Sequence, residues 1–361
     1  VSTRLLIRDI DIADFLTSAT WSGHSEKPNR TLTLQFKNTI DGRYKAFAVS
    51  NGEAIQYFIN NKRIFVGSVF DTDINESGNM TVTCYDRNYY TLKSKATRQF
   101  KNKKASEIVK QLAKDFGIPV GNIEDTGYVI PKLILRNHSL YDMMQKAMYL
   151  TYKQTKKRFF FGNVDGKLTL MQHKNNVTPW ILAAGSNLTS ASYSISMEDT
   201  KTQVQVVGGK DNKLTHTAKS VASQKLYGIM QHYEEMDEKA TTSQVKQRAE
   251  SLLKELNVLN DQASVSAIGI IDVVTGCGVY VREPMTGLAG GYYVTSDSHT
   301  FSDGKHEMKL EISASLDLPK IEISDEELGI EKPQKPKKKK AKKDAKKTDK
   351  DDKDAKATTK K

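Results

Sequence analysis

Ser139-Leu-Tyr-Asp-Met-Met-Gln-Lys-Ala-Met-Tyr-Leu-Thr151, continued by Lys157-Arg-Phe-Phe-Phe-Gly-Asn-Val-Asp-Gly-Lys-Leu-Thr-Leu-Met171, changes its period midway. Leu140, Met143, Met144, Ala147, Met148 and Thr151 recur at helical spacing and form one largely apolar stripe. Ser139 stands where an N-cap belongs, and Asp142 stands where the acid of a capping box belongs. The helical period then gives way to two short apolar runs, Arg158–Phe161 and Lys167–Met171, joined by Asn163-Val-Asp-Gly166. Asp165-Gly166 is a tight-turn signal, so the pattern predicts a helix feeding a β-hairpin. That is the heart of a small α+β unit, and β-rich sequence lies on both sides of it.

Towards the N-terminus, residues 3–10 read as an opening strand. Leu32, Leu34 and Phe36 alternate with Thr31, Thr33 and Gln35, as in a strand with one buried face. Further strands are expected at Ala54–Ile59, Lys62–Phe70 and Met80–Tyr85, separated by turns at Asn60-Asn61 and Asn75–Asn79. Many short strands joined by polar turns predict an antiparallel barrel or sandwich, with Trp21 and Phe65 as packing residues. Residues 87–101 read as a basic, aromatic transition. A short helix follows, with Ala105, Ile108, Val109, Leu112, Ala113 and Phe116 on one face, stopped by Gly117 and Pro119.

Towards the C-terminus, strands are expected at Ser190–Met197 and Thr202–Val207, and residues 210–235 as an extended excursion poor in strand. Thr241-Thr-Ser-Gln244 fits a helix start, with Val245, Ala249, Leu252, Leu253 and Leu256 as the buried face. Strands around Ala263–Ile271 and Cys277–Val281 precede a final pair, Gly291–Thr295 and His306–Ile312, with a turn at Ser302-Asp-Gly304. The expected fold is therefore mainly β with an α+β insert. Residues 1–95 and 178–318 form two antiparallel β-barrel-like domains, the second with a helical excursion. Residues 96–177 form the insert, and 319–361 an acidic linker and a disordered lysine-rich tail. This division requires residues 139–151 to be helical and the two flanks to keep separate sheets.

Charge is unevenly placed. The 361 residues carry a formal +12. Residues 331–361 hold fifteen lysines and six acids, a net of +9, which leaves +3 for the first 330. The basic balance belongs to the tail and not to a nucleic-acid-binding face of the body. The tail cannot form a core; it reads as a solvated segment able to make weak, nonspecific contact with a polyanion. No apolar run approaches a membrane span, and the N-terminal residues lack a signal-peptide pattern, so folding in a cytoplasm without membrane insertion is the expectation. Two cysteines, Cys84 and Cys277, make neither a disulfide framework nor a metal cluster.

No Walker loop, Rossmann glycine pattern, His-Glu-x-x-His or Gly-x-Ser-x-Gly occurs in the chain. His299 and His306, with Asp297 and Asp303 nearby, invite a metal reading, but hydrogen bonding across a hairpin places them together equally well. The paired acids Glu234-Glu235 and Glu326-Glu327 lie in polar context. Phe159 and Phe161 should face a core, and Phe160 another unit. No catalytic, cofactor-binding or metal residue is assigned.

Gly278-Val-Tyr-Val-Arg-Glu-Pro-Met-Thr-Gly287, Gly290-Gly-Tyr-Tyr-Val-Thr-Ser-Asp-Ser-His-Thr-Phe301 and Gly304-Lys-His-Glu-Met-Lys-Leu310 resemble the phage tail hub proteins of the XkdQ/YqbQ family. Trp21, Arg30-Thr-Leu32, Phe65–Val69 and Ile108–Pro119 fit the same family, and the likeness covers residues 1–320 but not the lysine-rich tail. The resemblance implies a homotrimeric baseplate hub with two barrels per subunit, six in a ring. Such a ring adapts a sixfold tail tube to a threefold central spike. It also implies partners: the tube or its initiator, the spike, other baseplate proteins and the tape measure. Gly290-Gly291 would allow a tight approach, Pro284 would fix a turn, and Asp297 and His299 would bond neighbouring backbone. Two other classes stay open: a tail-associated peptidoglycan hydrolase using the region 210–260, and a DNA-contacting portal or ejection protein.

Overall fold

The computed structural model describes residues 1–39, 47–315, 321–324 and 326–330. The expected disorder of the lysine-rich tail lies outside these residues. The chain is mainly β with an α+β insert. Each region starts from local signals that the sequence carries openly. Asn60 and Asn61 (φ 48° and 63°) turn the chain between Ala54–Ile59 and Lys62–Ile74, and Asp303 and Gly304 (φ 50° and 71°) turn it between Leu288–Ser302 and Lys305–Ser313. Asn, Asp and Gly are the residues that reach the left-handed region at least cost.

Among the described residues, thirteen strands join into one sheet. Its main path runs from Leu188–Ser196 through Asn260–Ile268, Lys305–Ser313 and Leu288–Ser302. It continues through Leu16–His24, Thr31–Lys37, Asn79–Asp86, Lys62–Ile74, Ala54–Ile59, Thr3–Ile7 and Ile10–Asp11. The two flanks thus share a sheet, contrary to the expectation of separate ones. The cause is the length of Leu288–Ser302. Its first half pairs with Gly278–Glu283, and its second half pairs on one side with Lys305–Ser313 and on the other with Leu16–His24, from Ser296 opposite His24 to Ser302 opposite Ser18. Gly278–Glu283 also pairs with Val177–Ala183 in parallel, a departure from the expected all-antiparallel flank.

The side chains remain segregated. One cluster gathers Leu5, Trp21, Leu34, Tyr57, Phe65 and Val82 from the N-terminal flank, and Phe301 reaches into it from the C-terminal strand. A second gathers Leu182, Val265, Val281, Val294 and Leu310. Cys84 and Cys277 are buried free thiols, one in each cluster, and burial pushes both up to about 12. Such thiols are protonated and unreactive at neutral pH.

In the insert, the helix Leu140–Thr155 forms as its stripe dictates. The Ser139 hydroxyl accepts from the Asp142 backbone N–H at 3.0 Å, so the serine caps the helix. Leu140, Met143, Met144 and Ala147 meet Ile108, Val109 and Leu112 of the helix Ala105–Asp115 in a third cluster. The hairpin Phe159–Val164 and Lys167–Gln172 closes through Asp165 and Gly166 (φ 52° and 77°). The basic stretch 87–101 expected as a transition instead runs into a ten-residue strand, Lys95–Lys104, paired with Val129–Ser139.

Residues 210–235 are not an extended excursion. Leu214–Lys219 and Gln231–Glu235 flank Gln203–Gly208 in a three-stranded sheet, with the helix Thr242–Leu256 packed on one face. Val204, Val206, Val245, Ala249 and Leu252 make a fourth cluster, with Leu253 and Leu256 partly buried beside it. Thr241 and Gln244 form the capping box that starts the helix.

Candidate functional site at the junction of the units

The strand pair that joins the two flanks buries a polar network. Arg30 sits at the entrance to Thr31–Lys37, where the Asp86 carboxylate accepts from its backbone N–H at 2.8 Å. Its guanidinium donates through both terminal nitrogens to the two carboxylate oxygens of Asp297, the Nη1–Oδ1 distance being 3.0 Å. Its other partner is an aromatic face, with the guanidinium carbon 3.7 Å from the centre of the Trp21 ring. Asp297 also accepts from the Thr275 N–H at 2.7 Å and hydroxyl at 2.6 Å. Burial pushes the Asp297 carboxyl up, but the charge and hydrogen bonds of Arg30, with His299 and Thr275, outweigh burial and hold it below the usual carboxylate range. Burial drives the nearby Asp86 the other way, to about 7, against the N–H groups that it accepts.

His299 lies two residues along the same strand. Its Nε2 is 3.0 Å from the Val273 carbonyl, so that nitrogen donates, and its Nδ1 accepts from Nε2–H of His306 at 3.0 Å. Burial lowers His299 to about 4, and burial with the neighbouring ring lowers His306 to about 4. Both ring nitrogens of His299 are therefore committed within the protein, and the pair serves hydrogen bonding across the hairpin. Among the described residues, no group of three or more His, Cys, Asp or Glu side chains is arranged to hold a metal ion.

The insert docks against this seam through its hairpin. Asp165 at the turn accepts two hydrogen bonds from Arg63, at 2.6 and 2.8 Å. Gly166 lies so close to Val66 that a Cβ there would stand 2.9 Å from the valine Cβ. Phe159 is buried in the insert core and Phe161 packs against it, while Phe160 points outward to His173, with ring centres 4.8 Å apart. Phe160 also covers Gly276 (φ 89°), where a Cβ would meet its ring at 2.4 Å. The Asn88 side chain ties the insert to the N-terminal flank, donating to the carbonyls of Pro28 at 2.8 Å and Gly162 at 3.2 Å.

Other residues singled out in the sequence find structural partners. Glu234 accepts two hydrogen bonds from Arg248, at 2.7 and 3.0 Å, an arrangement that leaves its carboxylate engaged. Glu326 pairs with Arg136, and Glu327 with Lys146 and His138. Pro284 opens a turn closed by the Gly287 N–H. Gly290 and Gly291 make no tight approach: a Cβ at Gly291 would meet nothing within 4 Å, and one at Gly290 only the edge of Tyr292 at 4.0 Å. The pairing of Arg30 with Asp297, across 267 residues, had no sequence signal beyond the presence of both residues in the motif stretches.

The far edge of the second flank is apolar and exposed. Val177, Trp180 and Ile181 on one strand, Tyr280 on its partner, and Tyr193 and Ile195 on the sheet's end strand are each 40% exposed or more. Ile181 stands opposite Tyr280 in register, so these two side chains share a face.

A family model described as YQBQ-like matches residues 19–313, the span that contains the seam, the insert and the helix-capped sheet. The chain belongs to the YQBQ-like family. Within it, YqbQ of Bacillus subtilis (strain 168) is 32% identical over 318 residues, covering 87% of this chain and 97% of the relative. The phage-like element PBSX protein XkdQ of the same organism is 30% identical over 319 residues, covering 87% and 98%. The fold is shared with the 43 kDa tail protein of prophage MuSo2 from Shewanella oneidensis, with a TM-score of 0.63 at 15% identity, over 86% of this chain and 97% of that one.

Proposed function

We propose that this YQBQ-like chain is a structural baseplate hub of a contractile phage tail or phage-like particle, without catalysis of its own. The observation that carries the reading is the seam: two β regions with separate cores, held edge to edge in one chain by the Leu16–His24 and Leu288–Ser302 pairing. Residues 1–95 and 178–318 act as the hub's two β regions, fused into one sheet and not separate domains, with 96–177 as the insert docked on them. A closed homotrimer of such chains presents six β regions around an axis, which suits a sixfold tube on one side and a threefold spike on the other. The relative XkdQ is named as a protein of a phage-like element, in keeping with that setting.

A force-bearing ring needs apolar contact between subunits, and the exposed edge around Trp180, Ile181 and Tyr280 is suited to it. The partners are the tail tube or its initiator, the central spike, other baseplate proteins and the tape measure. The place of action is the tail baseplate, after synthesis in the bacterial cytoplasm. Peptidoglycan hydrolysis is disfavoured by the Glu234–Arg248 pair, because a carboxylate held by a guanidinium makes a poor general acid.

Native mass spectrometry of the protein mixed with tube and spike components tests the reading. Three copies bound to both partners are expected. A complex with six copies, or with neither partner, contradicts it. Peptidoglycan incubated with the protein should release no reducing sugars or amines above buffer, and turnover lost in Glu234→Gln would favour the hydrolase.

A further inference from the structure

The segment expected as an acidic linker returns to the insert. Residues 321–324 and 326–330 lie along the strand Val129–Ser139 and the helix Leu140–Thr155, and none of them belongs to the four apolar clusters. Ile321 shares a small hollow with Met148, Tyr149, Tyr152 and Phe159. The Lys146 ammonium donates to the Glu322 carbonyl at 2.9 Å and to the Glu327 carboxylate, which also meets Nε2 of His138 at 3.0 Å. Glu326 pairs with Arg136, and Gly329 lies against the Lys132 side chain. Burial pushes the Glu327 carboxyl up, but the hydrogen bond from Lys146, with Ser324 and His138, outweighs burial and holds it below the usual carboxylate range.

The segment uses this groove incompletely. Val129–Ser139 pairs on one side only, with Lys95–Lys104, so its other edge is open to a further strand. Among the described residues, the segment makes one backbone hydrogen bond to that edge, from the Ile134 N–H to the Glu327 carbonyl at 2.7 Å. A hollow of about 220 Å³ also stays open beside it, between His138, Asp142, Gln145, Lys146, Ile321 and Glu322. The charges say what fills the groove. Among the described residues, Arg136, His138 and Lys146 meet an acid only on this segment, and Lys132 has no ion-pair partner. Lys146 is 12% exposed with the segment in place, so an occupant without a carboxylate would cover an uncompensated cation. The open edge in turn calls for a peptide backbone, which a phosphodiester chain does not offer.

We propose that this groove of the insert is a docking site for an acidic, extended segment of a partner protein, and that the chain's own acidic segment holds it shut until the partner displaces it. The incoming segment adds a strand to the open edge of Val129–Ser139, sets a carboxylate on Lys146 and His138, and fills the hollow.

The probe is a fluorescein-labelled peptide with the sequence of residues 319–331, added to the full chain. In the parent protein the tethered segment competes, so the peptide should bind weakly. Glu327→Lys, which sets a cation beside Lys146 and His138, should raise its affinity at least about tenfold. In that variant the Ile134 amide should exchange faster with solvent, then slow again as the peptide saturates. Lys146→Glu should free the segment from the other side of the pair, reject the native peptide and accept a peptide carrying Glu327→Lys. A scrambled peptide of the same composition should not bind, and oligothymidylate should bind more weakly than the native peptide. Equal affinity in parent and Glu327→Lys, equal binding of the scrambled peptide, an unmoved Ile134 amide or tighter binding of oligothymidylate would each overturn the assignment. Parent dimers that vanish in Glu327→Lys would give the groove to a second copy and overturn it too. None of the peptide readouts depends on how many chains form the hub, so the groove and the hub stand or fall separately.

Discussion

Two arginine–aspartate pairs hold the units of this protein together, and they differ in almost everything but chemistry. Arg30–Asp297 and Arg63–Asp165 are both bidentate and both join residues far apart in sequence. The first is buried, with the Asp297 side chain fully covered; the second is open, its side chains 38% and 45% exposed. In the buried pair each charge depends on its partner, on Trp21 and on Thr275, since no solvent can replace them. In the exposed pair water can. The seam is therefore an all-or-none joint, whereas the hairpin contact rests on shape, on Gly166 against Val66 and Gly276 against Phe160.

The largest expected effect follows from that contrast. Asp297→Ala leaves the Arg30 guanidinium buried and uncompensated and should destabilise the protein by about 3–5 kcal/mol. Urea denaturation measures the loss, and amide exchange should rise first in Leu16–His24 and Leu288–Ser302. A loss below that of an exposed pair would break the comparison. Gly276→Ala comes next. Its left-handed backbone and the Phe160 ring 2.4 Å from the new Cβ should cost on the order of 1–3 kcal/mol, seen as faster exchange in Phe159–Val164.

Acid should separate the two joints as well. His299 and His306 titrate near 4 in the folded protein but near 6.5 once unfolded. Between those values the unfolded chain binds more protons, so both residues make stability fall as pH drops from 6.5 towards 4. Asp86, raised to about 7, acts in the opposite direction. A comparison of two proteins that both keep Asp86 removes its contribution. His306→Gln should thus show a shallower loss of stability over this window than the parent chain; an equal slope would mean that the histidine pair is not acid-sensitive. Asp165, held below its ordinary value by the hydrogen bond from Arg63, keeps its charge across the whole window. The smallest effect is Arg63→Gln, expected at about 0.2–1 kcal/mol in the same urea experiment.

How far each region could be read from sequence tracks how it is stabilised. Ser139 with its apolar stripe, Asp165-Gly166 and Thr241 with Gln244 specify structure through neighbours a few residues away, and these local periods and turns stand as expected. Lys95–Lys104 escaped because Phe100 is the only apolar residue buried in that strand, so alternation gives almost no signal. Leu214–Lys219 and Gln231–Glu235 escaped for a related reason: their outer face carries glutamines and threonines, with Gln203 bonded to Gln231 and Gln231 to Gln205. The continuity of the sheet was illegible because strand pairing between Ser18–His24 and Ser296–Ser302 depends on residues more than 270 positions apart. The candidate site was half visible. Trp21, Arg30, Asp297 and His299 lay in the stretches that carry the family resemblance, but their convergence is a property of the tertiary fold.

The hub reading depends on how many chains stand at the joint between tube and spike. Cryo-electron microscopy of the intact particle, with the density at that joint traced to this sequence, counts them directly. The account predicts three copies around the axis, each contributing two β regions to one ring. Six copies at that level, or density for the chain away from the axis, would contradict it.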